Sequence, residues 1–109
     1  MTEPRRLLFV CSQNRLRSPT AEHVFATHPG VETLSAGLNV GADVPLSEEL
    51  LRWADMVFVM EKRHREKLSR EFRQALGGTR VICLDIPDIY EYMDPELVAL
   101  LEKRVTPYL

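Results

Sequence analysis

Three short apolar runs, Leu7–Val10, Met56–Met60 and Val81–Leu84, restrict this chain to few folds. Each suits a strand hidden on both faces rather than a helix, which needs ten or more residues. Helical spacing fills the gaps. Ala21, Val24 and Phe25 predict a helix that stops near His28-Pro29-Gly30. Glu32–Ala36 is a mixed, weaker strand that suits a sheet edge, and 37–45 is a loop. Ser47 caps a short helix with Glu48 and Glu49 in its first turn. Glu61–Leu76 predicts one long helix, with Leu68, Phe72, Ala75 and Leu76 as its apolar stripe and Gly77-Gly78 as its stop. Asp94-Pro95 caps a last helix carrying Leu97, Val98, Leu101 and Val105 on one face. Alternating strands and helices predict an α/β fold: a four-stranded parallel sheet in three layers, helices on both faces, joined by right-handed crossovers. At 109 residues the chain is expected to form a single domain, 1–109.

The chemistry is concentrated where the first strand ends. Val10 leads into Cys11-Ser12-Gln13-Asn14-Arg15-Leu16-Arg17-Ser18-Pro19. Ser18 and Pro19 predict a helix start, a hydroxyl N-cap followed by proline at the first helical position. Cysteine at a strand end and arginine at a helix N-terminus, with five residues between them, permit a loop with inward-pointing backbone N–H groups. Such a loop binds a tetrahedral anion. The same N–H groups and helix terminus would favour the Cys11 thiolate. Ser12, Gln13, Asn14, Arg15, Leu16 and Arg17 are therefore the expected phosphate-binding residues. Arg17 would grip two phosphoryl oxygens, and Ser18 would hydrogen-bond the sulfur as it leaves. The expectation is covalent phosphoryl transfer through a cysteinyl phosphate.

This stretch resembles the signature of the low-molecular-weight protein tyrosine phosphatases, including the asparagine three residues after the cysteine and the closing Arg-Ser-Pro. Ser35-Ala36-Gly37 resembles that family's next marker, and Asp55–His64 its following strand and helix start. The matches fall in family order and span about two thirds of the chain. The resemblance implies strand order 2-1-3-4, with a topological switch beside the first strand, where such sheets bind ligands. It implies that Ser35 braces Asn14, and that an aspartate after the fourth strand protonates the leaving group. Asp88, followed after one residue by the aromatic Tyr90, is favoured. Asp94 matches the family's Asp-Pro but is already explained as a cap, and Asp85 is a third choice. The segment from Leu38 to Asp55 is shorter than in the family, so a shallow cleft is expected, with Tyr90 and Tyr92 as its aromatic wall.

Other side chains receive plainer readings. Arg15 is equally a solvated charge and a second anion clamp. Arg63, His64, Arg65 and Lys67 are expected on a solvated helix face, and His23 and His28 to be structural. Cys83 sits in an apolar strand as a small hydrophobe, two strand spacings from Cys11 and so beyond disulfide reach. No metal or other cofactor is implied, because carboxylates and histidines show no ligand spacing. A net charge of −2 gives no global pull toward nucleic acid or anionic membrane, and no run is long enough to span a bilayer. Two cysteines make no disulfide framework, so the cytoplasm is the expected location.

The leading expectation is a cysteine-dependent phosphatase acting on phosphotyrosine or a similar aryl phosphate, in a phosphorylated protein or a small ester. The same chemistry on a nucleotide or RNA phosphate is an alternative, with nucleic acid not favoured as a partner. A phosphate- or phosphoprotein-binding module without turnover is another. A cysteine phosphocarrier does not need Arg17, and an arsenate reductase needs further cysteines. The sequence leaves the physiological substrate and the oligomeric state open.

Overall fold

In the computed structural model, which describes residues 3–109, the strands and helices follow the expected alternation. They are β1 (Arg5–Cys11), α1 (Arg17–Phe25), β2 (Val31–Gly37), α2 (Glu48–Trp53), β3 (Met56–Val59), α3 (Lys62–Glu71), α4 (Arg73–Leu76), β4 (Arg80–Cys83) and α5 (Pro95–Val105). A 3-10 turn, Thr106–Tyr108, closes the chain. All pairings are parallel and the sheet order is β2-β1-β3-β4. The order inferred from the family resemblance is thus observed.

The central strands alternate between two cores. Leu7, Phe9 and Cys11 point with Met56, Phe58 and Ile82 into a layer closed by α1 and α5 through Ala21, Phe25, Leu97, Leu101 and Val105. Phe9 lies 5.2 Å from Phe58 and 5.9 Å from Phe25, ring to ring. Leu8, Val10, Val57 and Val59 point the other way, against Leu51 of α2, Leu68 of α3 and Ala75 and Leu76 of α4. Cover on both faces explains why β1 and β3 read as unbroken apolar runs. β2 alternates only in its first half, as an edge strand should. Cys83 packs toward the second core and Cys11 toward the first. The two thiols, both free, therefore lie on opposite sheet faces as well as two strands apart.

Two local expectations are corrected. The helix predicted over Glu61–Leu76 breaks at Phe72, whose backbone leaves the helical region at φ −126° and ψ 29°. The break turns α4 toward α2, and Ala75 and Leu76 are buried there in the layer that holds Leu51. The first helix begins at Arg17, not after Ser18, and Ser18 caps nothing. Pro19 becomes its third residue, where the missing N–H is still one of the four that lack an intrahelical partner. Among the described residues no helix is long and apolar enough to cross a membrane.

Asp94 is the N-cap of α5, its carboxylate accepting from the Glu96 N–H at 2.9 Å, with Pro95 as first helical residue. Asp94→Ala is expected to lower stability by about 1 kcal/mol in urea unfolding. An unchanged midpoint would mean that the cap does not hold α5.

Candidate active site

The loop after β1 is shaped from behind. The carbonyls of Cys11, Ser12 and Gln13 accept hydrogen bonds from the N–H groups of Leu38, Asn39 and Asp43, at 3.0, 2.9 and 3.0 Å. A trans peptide points its N–H opposite to its C=O. With three successive carbonyls tied to the 38–43 loop, the N–H groups of Ser12, Gln13 and Asn14 face the other way, into the bowl of the loop. Asn14 takes a left-handed φ of 57°, which asparagine tolerates better than most residues. The exposed N–H groups at the start of α1 complete an anion cradle. Gly37 makes this fit feasible. A Cβ there would lie 2.7 Å from the Ser12 carbonyl oxygen, 2.9 Å from the Gln13 carbonyl carbon and 2.6 Å from the Ala42 Cβ.

Cys11, Ser12, Gln13, Arg15, Leu16, Arg17 and Asp88 line one cavity of about 220 Å³. These seven, all singled out from the sequence, meet there. The Cys11 Sγ lies 2.9 Å from the Ser18 Oγ. Asn14 Nδ2 donates to that same oxygen at 2.9 Å, which leaves the Ser18 proton for the sulfur or for the Ala36 carbonyl at 3.4 Å. The sulfur contact is the shorter. Ser35 does not brace Asn14: its hydroxyl donates to the Glu22 carboxylate instead. The two side chains reach different turns of α1, Ser35 to Glu22 and Asn14 to Ser18.

Arg17 is 2% exposed, an unusual depth for a guanidinium. Its Nη1 donates to the Glu61 Oε2 and to the Ile86 carbonyl, both at 2.7 Å. One edge of the fork is thereby spent on the protein. The other edge carries Nε, 3.7 Å from the Asp88 Oδ1, on the side that lines the cavity. A planar fork held on one edge can still offer two parallel N–H donors from the other.

Asp88 is half exposed at the cavity rim. The loop that carries it is tied on both sides. Arg104 donates to the Leu84 and Asp85 carbonyls, and the Met93 N–H donates to Thr20 Oγ1 at 3.0 Å. Asp94 is committed to its cap, and Asp85 accepts from the Cys83 thiol, away from the cavity. The expected aromatic wall is absent: Tyr90 packs against the first core, Tyr92 is exposed, and neither lines the cavity. Arg15, also in the wall, pairs with Asp43 at 3.2 Å in an exposed bridge.

Sequence reading missed two residues behind the loop. His64, expected on a solvated face, is 3% exposed. Its Nδ1 accepts from the Glu61 N–H at 3.1 Å, so Nε2 carries the proton and donates to Ser12 Oγ at 2.9 Å. A protonated Nε2 cannot act as a base toward Ser12, and the pair braces the loop. Burial, aided by the Arg17 charge, lowers the His64 pKa to about 4. Glu61 is held down to about 2, first by its hydrogen bond from Arg63 and then by Arg17. The available signal was the spacing: Glu61 and His64 form a capping box across the first turn of α3, and such a box draws the N3 side chain back toward the cap.

The chain matches no protein-family model and no curated protein. It does match solved structures over most of its length. The tyrosine phosphatase Wzb of Escherichia coli K30, solved with phosphate, shares 24% identity over 94% of each chain, at a TM-score of 0.76. A low-molecular-weight protein tyrosine phosphatase from T. tengcongensis shares 23% over 96% of this chain and 99% of its own, at 0.75. The YwlE arginine phosphatase from Geobacillus stearothermophilus shares 27% over 94% and 87%, at 0.68. These neighbours bear out the resemblance read from the sequence and its sheet order.

Two outcomes follow from this geometry. Gly37→Ala is expected to cost about 1–3 kcal/mol, because the intruding methyl meets backbone; urea unfolding measures it, and a cost below about 0.5 kcal/mol would show that the loop yields freely. His64 binds its proton more weakly folded than unfolded, so between pH ~6.5 and ~4 the unfolded chain holds the extra proton and stability rises with pH. That contribution, roughly 2–3 kcal/mol, is present above pH ~6.5 and is lost as pH falls toward 4. His64→Gln should flatten this part of the stability profile. Glu61 acts lower, its contribution being lost between pH ~4.5 and ~2.

Proposed function

We propose that this protein is a cysteine-dependent phosphatase, with residues 1–109 acting as one domain of the low-molecular-weight tyrosine phosphatase type. The observation that carries the reading is the convergence of Cys11, the free edge of buried Arg17 and Asp88 on a single cavity. Sulfur attacks phosphorus from the floor of the cradle as the ester oxygen departs on the opposite side. Loop N–H groups and Arg17 hold the three equatorial oxygens and follow their charge into the transition state. Asp88, as the carboxylic acid, gives its proton to the departing oxygen. Water then attacks the cysteinyl phosphate while the Asp88 carboxylate takes a proton from it. The P–S bond breaks, and the Ser18 hydroxyl stabilises the released thiolate. Arriving phosphoryl oxygens compete with Asp88 for the Arg17 edge and so release the carboxyl for this exchange.

Ser12, Gln13, Asn14, Arg15, Leu16 and Arg17 make up the phosphate site in this reading, and the substrate is a phosphorylated protein side chain or a small phosphate ester. A reducing, cytoplasmic setting belongs to this reading, because a working Cys11 thiolate needs one. One observation favours a second substrate: Arg15 lines the cavity beside Arg17, and a second cation suits the added charge of a nucleotide or RNA phosphate. Comparing kcat/KM on phosphotyrosine peptides and nucleoside monophosphates decides between them.

Hydrolysis of para-nitrophenyl phosphate across pH 4 to 8 tests the chemistry. Cys11→Ser is expected to abolish turnover and Asp88→Asn to remove the basic limb of the profile. Asp94→Asn should keep both limbs. Loss of the limb in Asp94→Asn alone would reassign the acid. No wild-type turnover, with phosphate still protecting Cys11 from alkylation, would make this a binding module.

A further inference from the structure

A concavity larger than the cradle lies away from it. Arg65, Glu66, Arg70 and Arg73 of α3 and α4 form one wall of a groove of about 740 Å³, and Leu76 and Val81 form part of its floor. It runs beside β4, one of the two outer strands of the sheet. Arg65, Ser69 and Arg73 recur every fourth residue and share this face.

The arginines here differ from the others. Arg15, Arg17, Arg52 and Arg63 each pair with a carboxylate. Arg5 and Arg104 donate to carbonyls, while Arg6 and Arg80 lie over aromatic rings. Arg65 donates to the Val81 carbonyl and has no carboxylate partner. Arg70 and Arg73 are exposed and, among the described residues, are the only arginines without a partner side chain or carbonyl. Both are in the groove. In a chain of net charge −2, segment 62–73 carries Lys62, Arg63, Arg65, Lys67, Arg70 and Arg73 against only Glu66 and Glu71. The positive field is local, and the two arginines in it that lack partners, Arg70 and Arg73, line the groove.

We infer that this groove docks an acidic segment of a polypeptide, and, resting on the phosphatase reading, that the segment belongs to the phosphorylated substrate. The chemistry distinguishes polypeptide from nucleic acid. No aromatic side chain lines the groove for base stacking. Its floor is aliphatic, and an outer strand suits an extended peptide. The groove also connects to the site. Arg63 of the same helix donates to Ser12 Oγ in the loop, and Arg70 stands ~10 Å further along at 1.5 Å per residue. A chain leaving the cradle covers that distance in roughly three extended residues.

The test uses a phosphotyrosine peptide carrying a glutamate run beyond the phosphorylated residue, a matched peptide with glutamines, and para-nitrophenyl phosphate. Arg70→Glu with Arg73→Glu is expected to lower kcat/KM on the glutamate peptide about tenfold at low salt. Activity on the glutamine peptide and on para-nitrophenyl phosphate should be unchanged. In parallel, fluorescence anisotropy follows binding of the labelled, unphosphorylated glutamate peptide to the wild type, the reversed variant and Arg70→Lys/Arg73→Lys. Charge reversal should weaken binding and the lysine pair retain it. Anisotropy needs no turnover, so it judges the groove even if the catalytic reading fails. Equal wild-type kcat/KM on the two peptides, or anisotropy indifferent to charge reversal, overturns the inference. So does a single-stranded oligonucleotide that displaces the labelled peptide at lower concentration than the unlabelled peptide does, which would make the groove a nucleic-acid surface.

Discussion

The structure depends on the burial of one guanidinium. Arg17 stands at the first turn of α1, Glu61 at the cap of α3 and Ile86 in the segment after β4. Nothing in local sequence brings these together. A cation buried this deeply must be paired, and once Nη1 is satisfied by a carboxylate and a carbonyl the planar group has no freedom to rotate. Three strand ends are thereby tied around one point. The cost of that burial is offset by two charge-assisted or strongly polarised hydrogen bonds. It also leaves one edge of the fork aimed at a fixed place, which is the preorganisation a phosphoryl site requires.

The loop is built on the same economy of geometry. Its outward carbonyls are satisfied by the 38–43 backbone, its side wall by His64, and its floor by the Asn14–Ser18–Cys11 chain of hydrogen bonds. Each partner comes from a different element, so the cradle is a property of the packed sheet and not of the loop alone. This explains why Gly37, outside the loop, is as constrained as any residue within it. Away from the cradle, the distribution of unpaired charge separates the two concavities. At the cradle nearly every charge has a partner, whereas the α3–α4 groove keeps unpartnered arginines facing solvent.

Sequence reading succeeded where pattern and covalent geometry agree. Leu7–Val10 and Met56–Met60 read as doubly covered strands, and Asp94-Pro95 as a helix start. It failed where a residue had two credible local roles. Ser18 was given two roles, helix cap and partner of the thiol, and only the second is observed. Phe72 continued an apolar stripe, yet the backbone breaks there to seat α4 on α2. Ser35 was assigned to Asn14 by resemblance, and Tyr90 to a cleft wall. Ser35 bonds Glu22 and the Tyr90 ring turns inward to the first core, because packing rather than spacing decides where a side chain points.

The sequence by itself determined the alternation of strands and helices, the caps, and the Cys-x5-Arg-Ser loop, because these rest on periodicity and on contacts between near neighbours along the chain. Only the tertiary structure decided which carboxylates meet Arg17, that His64 lies buried against Ser12, and that Asp88 rather than Asp94 or Asp85 borders the cavity. Those pairings join residues 44 to 71 positions apart. Their partners are chosen by how the strand ends converge and by the need to neutralise charge in a poorly solvated place, and neither condition is written in any local stretch of the chain.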